Sequence, residues 1–232
     1  PADASFRKPK AVTSVDQANA LAALLGKLEI DRIAAFVGYS YGGMVGLAFA
    51  VHHPRLLQRL VAVSASHESH PISTALRLVQ RRIVELGRSC DATTQALALS
   101  RQLAITTFRT PEEFASRFGS AARETADGFD FDVAGYLDAV GEKFVGRFDV
   151  DRFLALSESI DLHRIDPSRV GVPTTIVGVT SDRLIHIDQV RALSAAIAGP
   201  CEIHEIDSPY GHDSFLKEDE EIGRILRATL RF

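Results

Sequence analysis

Residues 38–42, Gly-Tyr-Ser-Tyr-Gly, follow the pattern Gly-x-Ser-x-Gly. The pentapeptide alone is a weak signal, because glycine and serine are common. Its flanks make it restrictive. The run Ile-Ala-Ala-Phe-Val at 33–37 enters it without a polar face, as a strand buried inside a parallel sheet would. Residues 44–53 leave it as a small, apolar helix that Pro54 closes. Residues 59–64, RLVAVS, supply the next strand, so the segment is a β-α-β unit. A serine at such a turn stands above the sheet in a tight, strained backbone, with Gly38 and Gly42 keeping Cβ atoms away from crowded neighbours. The N–H of Tyr41, at the positive end of the following helix, is then a donor for a developing oxyanion. The competing reading is a helix N-cap serine beside a glycine turn.

A serine at its ordinary proton affinity is a poor nucleophile and needs a base oriented by an acid. Asp182 lies just after the apolar strand at 172–179, and His212 lies after the next helix (188–199) and strand (201–206). Ser40, Asp182 and His212 thus fall in the chain order serine, acid, histidine, each at the carboxyl end of a strand. Asp207 competes for the acid role but comes only five residues before His212. His52 and His53 end a helix, His204 alternates within a strand, and His163 and His186 have no motif around them. His67 and His70 follow the second strand and are candidates for the rim of a pocket. No histidine or cysteine spacing fits a metal site, and the glycines lack the lysine of a phosphate loop.

The 232 residues suit one α/β domain with an insertion. Residues 1–13 read as an extended lead-in, and Ser14 with Gln17 as a capping box opening an amphipathic helix. From 71 to 167 helical patterns replace the α/β rhythm. In the first of them, 74–87, Leu76, Val79, Ile83 and Leu86 mark the apolar side. The expected division is therefore 1–70 for the first part of the core, 71–167 for a helical cap and 168–232 for the rest of the core, closing on a helix over 216–230. A net charge of -4 argues against nucleic acid as a partner. No apolar run is long enough for a membrane span, and two cysteines, Cys90 and Cys201, form no disulfide framework. The expectation is a cytoplasmic protein with no membrane partner.

With those residues in view, the chain resembles the homoserine O-acyltransferases of the alpha/beta-hydrolase superfamily, along nearly its whole length. GYSYGGMVGLAFAVHHP is similar to their nucleophile turn, SRQLAITTFRTPEEFASRFG and FDVAGYLDAVGEKF to their cap, and VGVTSDRLIHIDQ and GHDSFL to their acid and histidine segments. The cap stretches are the most specific, since generic hydrolases lack them. The resemblance implies an alpha/beta-hydrolase fold with an inserted helical cap. It also implies transfer of an acyl group, acetyl foremost, from acyl-CoA to the hydroxyl of L-homoserine through acyl-Ser40, a step of methionine biosynthesis.

On that resemblance Arg101 matches the arginine that binds the substrate carboxylate, and Asp213 the carboxylate that meets its amino group. Phe108 stands where the family usually has a pocket tyrosine, a lost hydroxyl that bears on which acceptor is used. Tyr39 and Tyr41 also differ from the smaller residues common around the family serine. No metal and no bound cofactor is implied; acetyl-CoA or succinyl-CoA is a co-substrate. The family further implies a homodimer through the cap, and N-terminal strands with a second oxyanion donor that do not occur in this sequence, whether supplied by another chain or lying outside it. Other readings are a serine or homoserine O-succinyltransferase, an esterase or thioesterase with the same triad, and a catalytically silent scaffold.

Overall fold

A computed structural model describes residues 11–230, so most of the expected lead-in lies outside the described residues. Helix α1 (Ser14–Lys27) leads to strand β1 (Phe36–Tyr39), helix α2 (Tyr41–His52) and strand β2 (Leu60–Val63). The insertion follows: α3 (Pro71–Ser89), α4 (Thr93–Phe108), α5 (Pro111–Arg117), a hairpin of β3 (Arg123–Thr125) and β4 (Gly128–Asp130), α6 (Asp132–Val145) and α7 (Val150–Asp161). The core resumes with β5 (Thr174–Val179), α8 (Ile187–Ala196), β6 (Cys201–Ile206) and α9 (Asp219–Thr229). This is an α/β fold whose parallel sheet, in the order β1-β2-β5-β6, carries a large helical cap between β2 and β5.

The strands show why they read as continuous apolar runs. Leu60, Ala62 and Ile176 point into one core with α2 and α8, while Val61, Val63, Val177 and Val179 point into a second core under α9. Both sheet faces are covered, so neither needs a polar residue. Helix α2 is buried from Gly43 to Val51, enclosed by α1 and the sheet. It is apolar all round for that reason.

Three expectations are corrected. The capping box of α1 is Thr13 with Asp16: the Asp16 N–H donates to Thr13 Oγ1 at 3.2 Å and the Thr13 N–H to Asp16 Oδ2 at 2.8 Å. Ser14 does not cap, because it is buried with its hydroxyl on the His163 ring. Helix α3 buries Ser73, Gln80, Val84 and Gly87, while Val79 and Leu86 are exposed. Its buried side is therefore partly polar, which hydrophobic spacing cannot find. The chain end is split: a 3-10 segment over Gly211–Leu216 precedes α9. Among the described residues no helix is long and apolar enough to cross a membrane.

His163 is a structural staple. Its Nδ1 accepts from the Ser14 hydroxyl at 2.6 Å and its Nε2–H donates to the Ser66 carbonyl at 3.1 Å, joining α1, the end of α7 and the loop after β2. Burial draws the imidazole down from 6.5 to about 4, against the Ser66 hydrogen bond, which raises it. The unfolded chain takes up a proton near pH 6.5 that the folded chain refuses until about 4. The staple's stability is thus complete above pH 6.5 and declines as the pH falls to 4, by about 3 kcal/mol. His163→Leu leaves the Ser14 hydroxyl and the Ser66 carbonyl unpaired, and we expect a loss of about 2–4 kcal/mol at pH 7. The decline between pH 6.5 and 4 should flatten in the same variant, as read by urea unfolding at a series of pH values.

Candidate active site

Ser40 sits between β1 and α2 with φ 49° and ψ -121°, a left-handed conformation that a non-glycine residue seldom adopts. Its N–H donates to the Val63 carbonyl at 2.8 Å and its carbonyl accepts the Met44 N–H at 3.1 Å, so the strained residue is held at both ends. A Cβ on Gly38 would lie 2.3 Å from the Gly42 carbonyl oxygen, and one on Gly43 2.7 Å from the Ala65 Cβ. Gly42 itself has open space around a Cβ, contrary to the expectation, so the crowding falls on Gly38 and Gly43.

The Ser40 side chain makes no capping hydrogen bond to α2. Instead Oγ lies 2.8 Å from His212 Nε2, and His212 Nδ1 lies 2.7 Å from Asp182 Oδ2. The other Asp182 oxygen accepts the N–H groups of Leu184 at 2.8 Å and Ile185 at 3.0 Å. These bonds fix the carboxylate, which receives the imidazole Nδ1–H and leaves Nε2 to accept the serine proton. Asp207 is bonded to Thr180 at 3.1 Å and takes no part. The Tyr41 N–H is in the first turn of α2, where it has no intrahelical acceptor.

Burial by itself would lower the His212 imidazole. The charge of Asp182 and its hydrogen bond, with the charge of Asp213, outweigh burial and the opposing charge of Arg77, so the base lies above its usual 6.5.

The triad opens into a cavity of about 270 Å³ between the sheet and the cap. Its wall is mostly apolar, with Phe144, Phe148 and Phe153 from the cap, and it carries two arginines. Arg101 stacks over the rings of Phe108 (5.0 Å) and Phe144 (5.2 Å), and no ion pair or hydrogen bond meets it among the described residues. Burial lowers its proton affinity, partly offset by the charge of Asp213. Arg77 is paired: its Nε donates to Asp161 Oδ1 at 2.7 Å and its Nη2 to the Ser69 hydroxyl. Arg81 reaches Asp161 Oδ2 at 2.7 Å and Ser157, on the cavity wall, at 2.8 Å. Two cations therefore share one carboxylate beside the cavity.

The other expected residues are distributed as follows. Phe108 lines the cavity, its ring 5.8 Å from that of His212. Asp213 is buried and ion-paired to Arg109 Nε at 2.9 Å. Tyr41 lines the cavity with its hydroxyl 2.5 Å from Ser159 Oγ, whereas Tyr39 stacks on Phe215 behind the site. His67 and His70 stay off the cavity wall; His70 caps α3 and packs against His186. Sequence reasoning missed Arg77, Gln80 and Ser157. The available signal was the polar series Ser73, Arg77, Gln80 at helical spacing on α3, a face the apolar search passes over.

A strained serine between a parallel strand and a buried helix, with histidine and aspartate at neighbouring strand ends, defines the alpha/beta hydrolase class. The chain belongs to that family: the alpha/beta hydrolase fold model matches residues 2–219. Within it the chain is similar to homoserine O-acyltransferases. It is 46% identical over 230 residues to a homoserine O-succinyltransferase of Xanthomonas campestris, covering 99% of this chain and 62% of the relative. It is 34% identical to a homoserine O-acetyltransferase of Mycobacterium avium, covering 93% and 60%. The solved structure of a homoserine O-acetyltransferase from Staphylococcus aureus superposes with a TM-score of 0.80 at 25% identity, covering 99% and 68%. The chain thus spans about three fifths of the length of these two sequence relatives.

Fluorophosphonate labelling should be lost in Ser40→Ala and should slow by about 10³-fold or more in Asp182→Asn, with Asp207→Asn unaffected. Because neutral His212 is the active form, the labelling rate should fall as the pH drops through a midpoint above 6.5.

Proposed function

We propose that this chain carries the catalytic triad of an acyl-CoA:homoserine O-acyltransferase, with a succinyl group as the acyl unit. The observation that carries the reading is Arg101, a partly buried guanidinium in the wall of the Ser40 cavity that makes no ion pair or hydrogen bond among the described residues. A cation drawn partly out of water with its hydrogen-bond donors unused suits a ligand carboxylate, which the planar fork matches. The α-carboxylate of an amino-acid acceptor meets that need. Asp213, whose charge reaches Arg101, is the complementary group for its ammonium.

In the reaction, Ser40 Oγ passes its proton to His212 Nε2 and bonds to the thioester carbon. The oxyanion is met by the Tyr41 N–H. The C–S bond breaks and the imidazolium proton goes to the thiolate, releasing free CoA. The homoserine hydroxyl then gives its proton to His212 while its oxygen bonds to the acyl carbon, and Ser40 leaves with that proton. The apolar cap wall lowers water access to the acyl-serine, which favours transfer over hydrolysis.

Two observations favour succinyl over the acetyl group expected from the sequence. Identity to the succinyltransferase is 46%, against 34% for the acetyltransferase. The Arg77, Arg81 and Asp161 cluster also holds a net positive charge beside the cavity, which suits a carboxylate at the far end of the acyl chain.

Intact-mass analysis with succinyl-CoA should give an adduct that disappears in Ser40→Ala and discharges onto homoserine; acetyl-CoA should label more slowly. An adduct only from acetyl-CoA overturns the choice of donor, discharge only to water points to an esterase, and no adduct from either points to a silent scaffold. Arg101→Met should raise the KM for homoserine by about tenfold or more, with a smaller effect on acylation by the donor.

A further inference from the structure

The segment between α4 and α5 is pressed against the loop that carries His212. The Thr110 hydroxyl donates to the Pro209 carbonyl at 2.5 Å. Gly211 has φ 59°, and a Cβ there would stand 2.7 Å from the Phe108 carbonyl oxygen. The Phe108 ring packs on the His212 ring. Between these contacts lies Arg109, whose guanidinium is mostly buried. It pairs through Nε with Asp213 Oδ2 at 2.9 Å and through Nη1 with Glu113 Oε1 at 2.8 Å. Glu113 is itself buried and also takes Arg117 at 3.1 Å. Asp213 follows His212 directly in the chain, so whatever fixes Asp213 fixes the backbone that aims the imidazole at Ser40.

We propose that Arg109 is a positioning residue for His212, acting through Asp213. The ion pair does two things. It anchors the histidine loop to the cap, and it balances the one carboxylate near the base that the triad does not use. Charged groups act on His212 from three elements: Asp182 after β5, Asp213 on its own loop and Arg77 from α3; Arg101 from α4 lines the same cavity, Ser40 lies in front, and the uncharged rings of Phe108 and Phe215 pack against it. Arg109 is the cation in contact with Asp213. Without it the full charge of Asp213 acts on the imidazole and favours the protonated form, in which Nε2 cannot accept the serine proton. The pair occupies Oδ2, leaving Oδ1 for a substrate ammonium. That last consequence rests on the acyltransferase reading; the positioning of the base does not.

The test is a direct titration of His212 by NMR in protein carrying 13C-labelled histidine, with His212→Gln for assignment. It needs no turnover, so it reports even if no acyl group is ever transferred. The Arg109→Met midpoint should lie above that of the wild type, while Arg109→Lys, which keeps the charge, should lie close to the wild type. Arg109→Met combined with Asp213→Asn should return to the midpoint of Asp213→Asn alone, since the carboxylate is then gone. An unchanged midpoint in folded Arg109→Met overturns the proposal, and so does a double variant that shifts as far as Arg109→Met. Should Arg109→Met fail to fold, Asp213→Asn decides: its midpoint should fall below the wild type, and no fall overturns the proposal.

Discussion

Everything at this site hangs on the backbone of one residue. Ser40 is held at φ 49°, a conformation costing on the order of 1–3 kcal/mol for a side chain with a Cβ. The surroundings make that conformation obligatory. Its N–H completes the β1–β2 ladder at Val63, its carbonyl opens α2, and Gly38 is packed so closely on the Gly42 carbonyl that no larger residue fits. Helix α2 cannot shift to relieve the strain, because residues from Gly43 to Val51 are buried between α1 and the sheet. The strained residue thereby puts Oγ 2.8 Å from His212 Nε2 and starts α2 at Tyr41.

The parallel sheet then sets the partners. Strands β1, β5 and β6 run in one direction, so the segments leaving their carboxyl ends bring Ser40, Asp182 and His212 to one edge. The cap completes the environment. It supplies the aromatic wall, and it binds the core through polar contacts placed around the triad: Tyr41 with Ser159, Ser73 with the Leu184 carbonyl, Thr110 with Pro209 and Arg109 with Asp213. Each touches a residue within about three positions of a triad member. The cap is therefore coupled to the geometry of the base and acid as well as covering the cavity.

Much of this was legible in the residues themselves. The β-α-β unit around Ser40, the strands ending before Asp182 and His212, and the helical insertion all follow from apolar runs and their spacing, which depend on neighbours close in sequence. Boundaries slipped where a side chain had a distant partner. Ser14 has the chemistry of a cap but is claimed by His163, 149 residues away, so Thr13 caps instead. The resemblance offered Asp213 to the substrate, and no local pattern shows that Arg109 already holds one of its oxygens.

What the sequence determined by itself was the order of the core strands and helices and the three residues of the Ser40 turn and its partners, because periodicity and turn chemistry are local; the β3–β4 hairpin of the cap was not among them. What only the tertiary structure decided was the inner face of α3, the sharing of Asp161 by Arg77 and Arg81, the exposure of Val79 and Leu86, and the absence of an ion pair at Arg101 among the described residues. A charged side chain looks the same in a sequence whether it faces water or a cavity. Its pairing depends on which distant helix is packed against it, and that is fixed only when the cap closes on the sheet.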